Sequence, residues 1–333
     1  MAKIATTLVS KKQTLLPLLK TVSFILIFIF LLTITSNIFI PKQNIRENGI
    51  NYFNARGFYG EPLNSLDIIA IGNSDLYSGF SPMILWRNHG FTSYSSGEAR
   101  QTIAEAYKVL KAALTCQSPK LVILETDAIY EGGFTPMRIN LSLSTLAQNT
   151  FPVVEFHSRW KSLAYQDFSE RPIYTWKSKS KGFGISNKID SYTGEEYMIP
   201  TNAKEPIKPF TVSSLNKFVE LCNEKGIALI LVEMPSADSW NYARHNAVND
   251  FAIQHSIPFL DLNIDRDTFA FDWLTDTRDK GNHMNCSGAE KVTTYIGEYI
   301  SENYSIPDHR NNEEYSIAWN QALEDYNDKV LIT

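Results

Sequence analysis

A serine and a histidine about two hundred residues apart carry the most chemistry in this chain of 333 residues. Ser74 follows a buried apolar run, Leu66-Asp67-Ile68-Ile69-Ala70-Ile71, in the turn Gly72-Asn73-Ser74-Asp75. His283 lies in Asp279-Lys280-Gly281-Asn282-His283-Met284-Asn285, just before a helical pattern that opens at Ser287. A serine hydroxyl is a weak nucleophile until a base within hydrogen-bond reach takes its proton. An imidazole, with an unperturbed pKa near 6.5, is suited to that task. The base needs a carboxylate to hold its tautomer; Asp279, four residues upstream, is the nearest and Asp276 the next. Attack on an ester also creates an oxyanion that needs fixed donors. The backbone N–H groups at Ser74 or Asp75, the bare backbone at Gly97 and the side-chain amide of Gln101 are the candidates. Each residue also has an ordinary role open to it: Ser74 as a turn cap, His283 as a surface residue before a helix, Asp279 as a solvated loop charge.

What could bring Ser74 and His283 together is an open parallel sheet, whose sites form at the carboxyl ends of the strands. Strand-like and helix-like segments alternate after residue 65. The expected strands are Leu66–Ile71, Phe91–Ser95, Lys120–Glu125, Ile227–Val232 and Ile257–Leu262. The expected helices are Pro82–His89, Ala99–Thr115, Val212–Lys225, Trp240–His255 and Ser287–Tyr304. Continuous apolar strands between helices predict an α/β fold, a flavodoxin-like three-layer sandwich of about five parallel strands. Residues 130–210, rich in Ser, Lys, Tyr and Trp and poor in periodicity, read as a long functional insertion or lid. The tail 306–333 is polar with Trp319 and Tyr326 interspersed, a pattern compatible with a final packed helix.

Val22–Ile40 is almost wholly apolar. As a helix it spans roughly 28 Å, close to a bilayer's hydrocarbon core. Residues 1–42 carry five lysines and no acid, so their local charge is +5; the whole chain is −5, which leaves −10 on residues 43–333. Basic residues before the apolar run predict a cytoplasmic N-terminus and an exported body. The run is long for a signal peptide and no small-x-small cleavage site follows, so a retained single-pass anchor is expected. The expected layout is a cytoplasmic N-terminus (1–21), an anchor (22–40), a linker (41–64), the α/β domain (65–305) and a tail (306–333). An acidic body excludes nucleic acid as a natural partner. Cys116, Cys222 and Cys286 form no CxxC pair and predict neither a metal site nor a disulfide framework.

Taken together, these blocks resemble the SGNH (GDSL-like) hydrolases. Gly72-Asn73-Ser74-Asp75 looks like their first block, Gly97 like their second, and Asp279 with His283 like their last. Gly72 through Pro82, His157-Ser158-Arg159-Trp160, His283 through Lys291, and Asp308-His309-Arg310 are similar to a Gram-positive, membrane-anchored branch. Three departures stand out. Asn73 precedes the serine where Asp is usual, Asp279 and His283 are four apart rather than three, and the third-block asparagine has no counterpart near Glu125-Thr126-Asp127. The resemblance implies a Ser74–His283–Asp279 site with no metal or soluble cofactor. It also implies a membrane-bound O-acyltransferase partner and a polysaccharide acceptor in the cell envelope or outside it, most readily for O-acetylation. The missing asparagine, shared with acyl-transferring members, leans toward transfer over hydrolysis. An esterase using the same residues, and a non-catalytic glycan-binding or assembly protein, are the other readings. His157, Arg159 and Trp160, in the insertion, are candidates for contact with the acceptor.

Overall fold

The computed structural model describes residues 2–50, 52–132, 150–264 and 266–331, with side chains from residue 17 to 330. The chain divides into two compact units: residues 1–51 with 134–174, and residues 52–133 with 175–333.

The larger unit is built on five parallel strands in the order β2-β1-β3-β4-β5. They are β1 (Ile68–Gly72), β2 (Ser93–Gly97), β3 (Leu121–Glu125), β4 (Ala228–Glu233) and β5 (Phe259–Asp261). The expected parallel α/β architecture is therefore borne out. Alternate residues of the central strands face opposite layers, as the period of two requires. Ile69, Ile71, Val122 and Leu124 pack toward one core, with Val109 and Leu110 of α4 (Ile103–Ala113) and Phe218 of α7 (Pro209–Lys225). Ile68, Ala70, Leu121 and Ile123 pack toward the other, with Leu76 of α2 (Ser74–Gly79) and Val292 and Ile296 of α9 (Cys286–Asn303). Burial on both faces explains why these strands read as unbroken apolar runs.

Local signals set the helix ends, as in α8 (Tyr242–His255), where the Asn241 side chain accepts from Arg244 N. The helix α3 (Pro82–His89) begins on a proline at its first position and stops at a left-handed Gly90. The start of α4 carries a capping box between Thr102 and Glu105. The tail forms a helix, α10 (Glu313–Leu331), as its pattern allowed. Trp319 and Tyr326 are its buried anchors, and Trp319 packs on Trp86 at a centroid distance of 5.2 Å.

β1 pairs with β2 on one side and β3 on the other, and the chain passes from β1 to β2 before crossing back to β3. The carboxyl ends of β1 and β3 thus border the point where the strand order reverses, the usual ligand crevice of such sheets.

The smaller unit holds α1 (Ala2–Phe39) with two short helices, α5 (Val153–Phe156) and α6 (Tyr165–Ser169), and the 3-10 turn His157–Lys161 between them. Within α1, Pro17–Phe39 is long and apolar enough to cross a membrane, with none of its most apolar window buried by the chain. Residues 130–210 are not one insertion. The described part of 134–174 belongs with α1, and 175–210 runs along the sheet unit, where Phe183 is buried and Gly184 N donates to Tyr77 O. The stretch expected as linker is divided too: Ala55 and Phe58 are core residues of the sheet unit. Part of the expected insertion, 133–149, lies outside the described residues.

Candidate active site

Ser74 is the first residue of α2, directly after β1. Asn73 caps that helix, its Oδ1 accepting from Asp75 N at 2.8 Å. Asp75 N–H is therefore engaged, which leaves Ser74 N–H as the helix-end donor of the two backbone groups considered. The Asn73 amide also donates from Nδ2 to Asp127 Oδ2 at 2.7 Å, and Asn73 N donates to Glu125 Oε2 at 3.0 Å. Asparagine before the serine thus meets a carboxylate just beyond β3: a donor following β1 faces an acceptor following the neighbouring strand. The partly exposed Ser74 side chain interacts with the Tyr77 phenol one turn on.

His283 is carried by a loop that folds back on itself. Thr277 and Met284 form an antiparallel bridge. Lys280 and Gly281, both left-handed, turn the chain at φ 61° and 91°. Thr277 Oγ1 donates to His283 O and accepts from Gly281 N, and Asn285 caps α9 just beyond. Asp279 then holds His283 twice. Oδ1 accepts from His283 N at 2.6 Å, and Oδ2 accepts from Nδ1 at 2.5 Å. An ionised carboxylate can only accept, so Nδ1 is the donor in this pair, which in the neutral imidazole leaves the lone pair on Nε2. The left-handed pair absorbs the extra residue between Asp279 and His283, and the carboxylate–imidazole contact is made despite the longer spacing. Asp276 is engaged elsewhere: fully buried, it accepts from Ser287 Oγ, Lys291 Nζ and Asp272 N.

His283 Nε2 faces the first turn of α2, 3.9 Å from Asp75 Oδ1. The serine and histidine segments are thus neighbours in space, although among the described residues no hydrogen bond joins Ser74 Oγ to the imidazole. Gly97 is at the same place. A Cβ there would lie 2.7 Å from Asn73 O and 3.0 Å from Tyr77 N, so its lack of a side chain lets α2 sit against the end of β2. Gln101 is buried, and its amide nitrogen and oxygen have no hydrogen-bond partner among the described residues.

Sequence reasoning missed a set of acids behind the serine. Glu125 ends β3, Glu233 ends β4, and Asp75 and Asp127 follow β1 and β3; all four are buried. Glu125 also accepts from Asp127 N at 2.6 Å, and Glu233 from Thr126 Oγ1 at 2.6 Å. Burial, reinforced by the Asp127 charge, pushes the Glu125 carboxyl up to about 8. Burial raises Asp127 to about 6 against the opposing pull of Arg244. Asp75 is held well above the usual carboxylate range, first by burial and then by Asp127, Glu125 and Asp279. Burial and then the Glu125 charge do the same to Glu233. The available signal was positional: apolar strands that run into a carboxylate at the edge where sites form. No group of three or more His, Cys, Asp or Glu among the described residues has the arrangement to hold a metal ion.

His157, Arg159 and Trp160 lie in the smaller unit. His157 and Trp160 are exposed, whereas Arg159 is buried and bonded to Phe39 O at 2.6 Å and Asp167 Oδ1 at 2.7 Å.

No family model and no curated protein matches the chain. Among solved structures it is similar to a candidate lipolytic protein of the G-D-S-L family from Desulfitobacterium hafniense, at 14% identity and TM-score 0.38, over 69% of this chain and 97% of that one. It is also similar to a candidate acylhydrolase from Bacteroides fragilis, at 13% identity and TM-score 0.40, over 77% of this chain and 97% of that one. A GDSL-like lipase from Bacteroides thetaiotaomicron matches at 12% identity and TM-score 0.38, over 76% of this chain and 98% of that one. At such identities the chemistry must be argued from the chain's own residues.

Proposed function

We propose that this chain is an SGNH-type serine acyltransferase, tethered by α1 to the membrane with its sheet unit outside the cell, that O-acetylates a cell-envelope or secreted polysaccharide. The observation that carries the reading is the Asp279–His283 pair with Nε2 turned toward the turn that bears Ser74.

In the proposed reaction Ser74 Oγ attacks the donor's acyl carbon while His283 Nε2 takes the hydroxyl proton. The imidazolium, stabilised by Asp279, returns that proton to the leaving group as the donor bond breaks, and the acyl group stays on Ser74. A polysaccharide hydroxyl then attacks the acyl-serine, giving its proton to His283, and Ser74 leaves with that proton. Ser74 N–H, at the start of α2, supplies an oxyanion donor, and Gly97 N–H a second. Gln101 joins them only if its buried amide opens toward the site. The missing Ser74–His283 hydrogen bond is in keeping with sites that tighten when substrate binds. A membrane-bound O-acyltransferase would supply the acyl group, and no cofactor is required.

Replacing Ser74 by Ala tests the reading. Acetylation of the polymer should cease while the far-UV spectrum and melting temperature stay those of the wild type. Unchanged acetylation would overturn it, and hydrolysis of acetyl esters without transfer would make the chain an esterase.

A further inference from the structure

We infer that residues 150–173 form a collar lying in the lipid headgroup layer at the C-terminal end of α1, with Trp160, Tyr165 and Phe168 turned into the membrane. The inference rests on reading α1 as a membrane span. The apolar stretch Pro17–Phe39 has 23 residues. At about 1.5 Å per residue it reaches roughly 34 Å, slightly more than the hydrocarbon core of about 30 Å. Its exposed aromatics, Phe24, Phe28 and Phe30, have no cover from the chain. Phe39 therefore falls at the boundary between acyl chains and headgroups.

The collar is fastened at that level. Ser36 Oγ accepts from Val153 N at 3.3 Å, and Phe39 O accepts from Arg159 Nη1 at 2.6 Å. Arg159 is itself buried at 4% exposure and paired with Asp167 at 6%. The Asp167 carboxylate lies below its ordinary range, the opposing cost of its burial outweighed by the Ala164 N–H and Arg159. Burying such a pair is costly, and here two guanidinium nitrogens are bonded, Nη1 to Phe39 O and Nη2 to Asp167 Oδ1, which ties the collar to the end of α1. A cation on the last carbonyls of α1 also suits the negative end of the helix.

With Arg159 and Asp167 turned inward, the collar presents large apolar residues outward. Trp160 is 65% exposed, Tyr165 84%, Phe168 63% and Ile173 65%. Trp and Tyr are enriched where acyl chains meet headgroups, the level at which these side chains are exposed. The Lys161 ammonium sits 5.5 Å from the centre of the Trp160 ring, so an apolar ring and a charge are held together as such a boundary favours.

The test uses the full chain reconstituted into phosphatidylcholine–phosphatidylglycerol vesicles with and without brominated acyl chains. Bromine quenches tryptophan emission on contact, and α1 contains no tryptophan. Flotation with the vesicles reports the anchor, and quenching reports the collar. The expected result is flotation with bromolipid quenching that Trp160→Phe removes and that Trp160→Phe with Tyr165→Trp restores. Flotation with quenching unaltered by Trp160→Phe would overturn the collar and return Trp160 to the sugar-facing role. Failure to float would overturn the membrane span and the collar with it.

Discussion

Replacing Gly97 by Ala should disable the serine while leaving the protein folded. A Cβ on Gly97 would lie 2.7 Å from Asn73 O and 3.0 Å from both Tyr77 Cβ and Tyr77 N, where ordinary contact begins at 3.4 Å. Two of those three neighbours are backbone atoms, so no rotamer change relieves the overlap. The first turn of α2 must retreat by about 0.7 Å from the end of β2, and Ser74 goes with it. Overpacking of this kind costs about 1–3 kcal/mol. A displacement approaching 1 Å at a reacting group can cost about 10²-fold in rate. The assay is the rate of covalent labelling of the full chain by a fluorophosphonate, read beside urea unfolding. Gly226→Ala is the control, since it meets nothing within 4 Å and only strains a left-handed helix end at φ 66°. It should destabilise by about 1–2 kcal/mol and leave labelling intact. Wild-type labelling in a folded Gly97→Ala protein would refute the placement of Ser74 against β2.

Asp279→Asn should slow labelling by about 10²–10⁴-fold with little change in stability, because it removes the acceptor that fixes the His283 tautomer. Asp276→Asn should do the reverse, costing about 1–3 kcal/mol by weakening the bonds its buried carboxylate accepts from Ser287 Oγ, Lys291 Nζ and Asp272 N; equal labelling losses in the two variants would contradict the assignment. Glu125 and Asp127, raised to about 8 and about 6, bind their protons more tightly folded than unfolded. Their contribution is complete below the unfolded carboxylate range and is lost as pH rises through 6 and then 8, a swing of about a few kcal/mol. The urea midpoint should therefore fall between pH 5 and 9, and a flat or rising profile would remove these acids from the account.

The parts of the fold legible in the sequence were those decided by local pattern. The apolar strands β1, β3 and β4 stand within two residues of where their runs predict them, and α3 lies where Pro82 and Gly90 bracket it. β2 is displaced from Phe91–Ser95 to Ser93–Gly97, because its buried residues are mostly serines and give no apolar signal. The expected strand Ile257–Leu262 shortens to the three residues that pair with β4. Asp279 was readable because it lies in the loop of the histidine it holds. The network of Asn73, Glu125, Asp127 and Glu233 was not, since its members come from three strand ends up to 160 residues apart. Arg159 could be read as a candidate acceptor contact, but its partners could not, because neither the Phe39 carbonyl nor the Asp167 carboxylate that binds it shows in a linear pattern.

In the proposed mechanism Ser74 is a nucleophile activated by His283. Its most direct test is fluorophosphonate treatment of the full chain followed by mass spectrometry of the adduct. The wild type should carry a single covalent adduct on Ser74 and His283→Ala none. A folded wild-type protein that stays unlabelled, or one labelled equally well without His283, would contradict it.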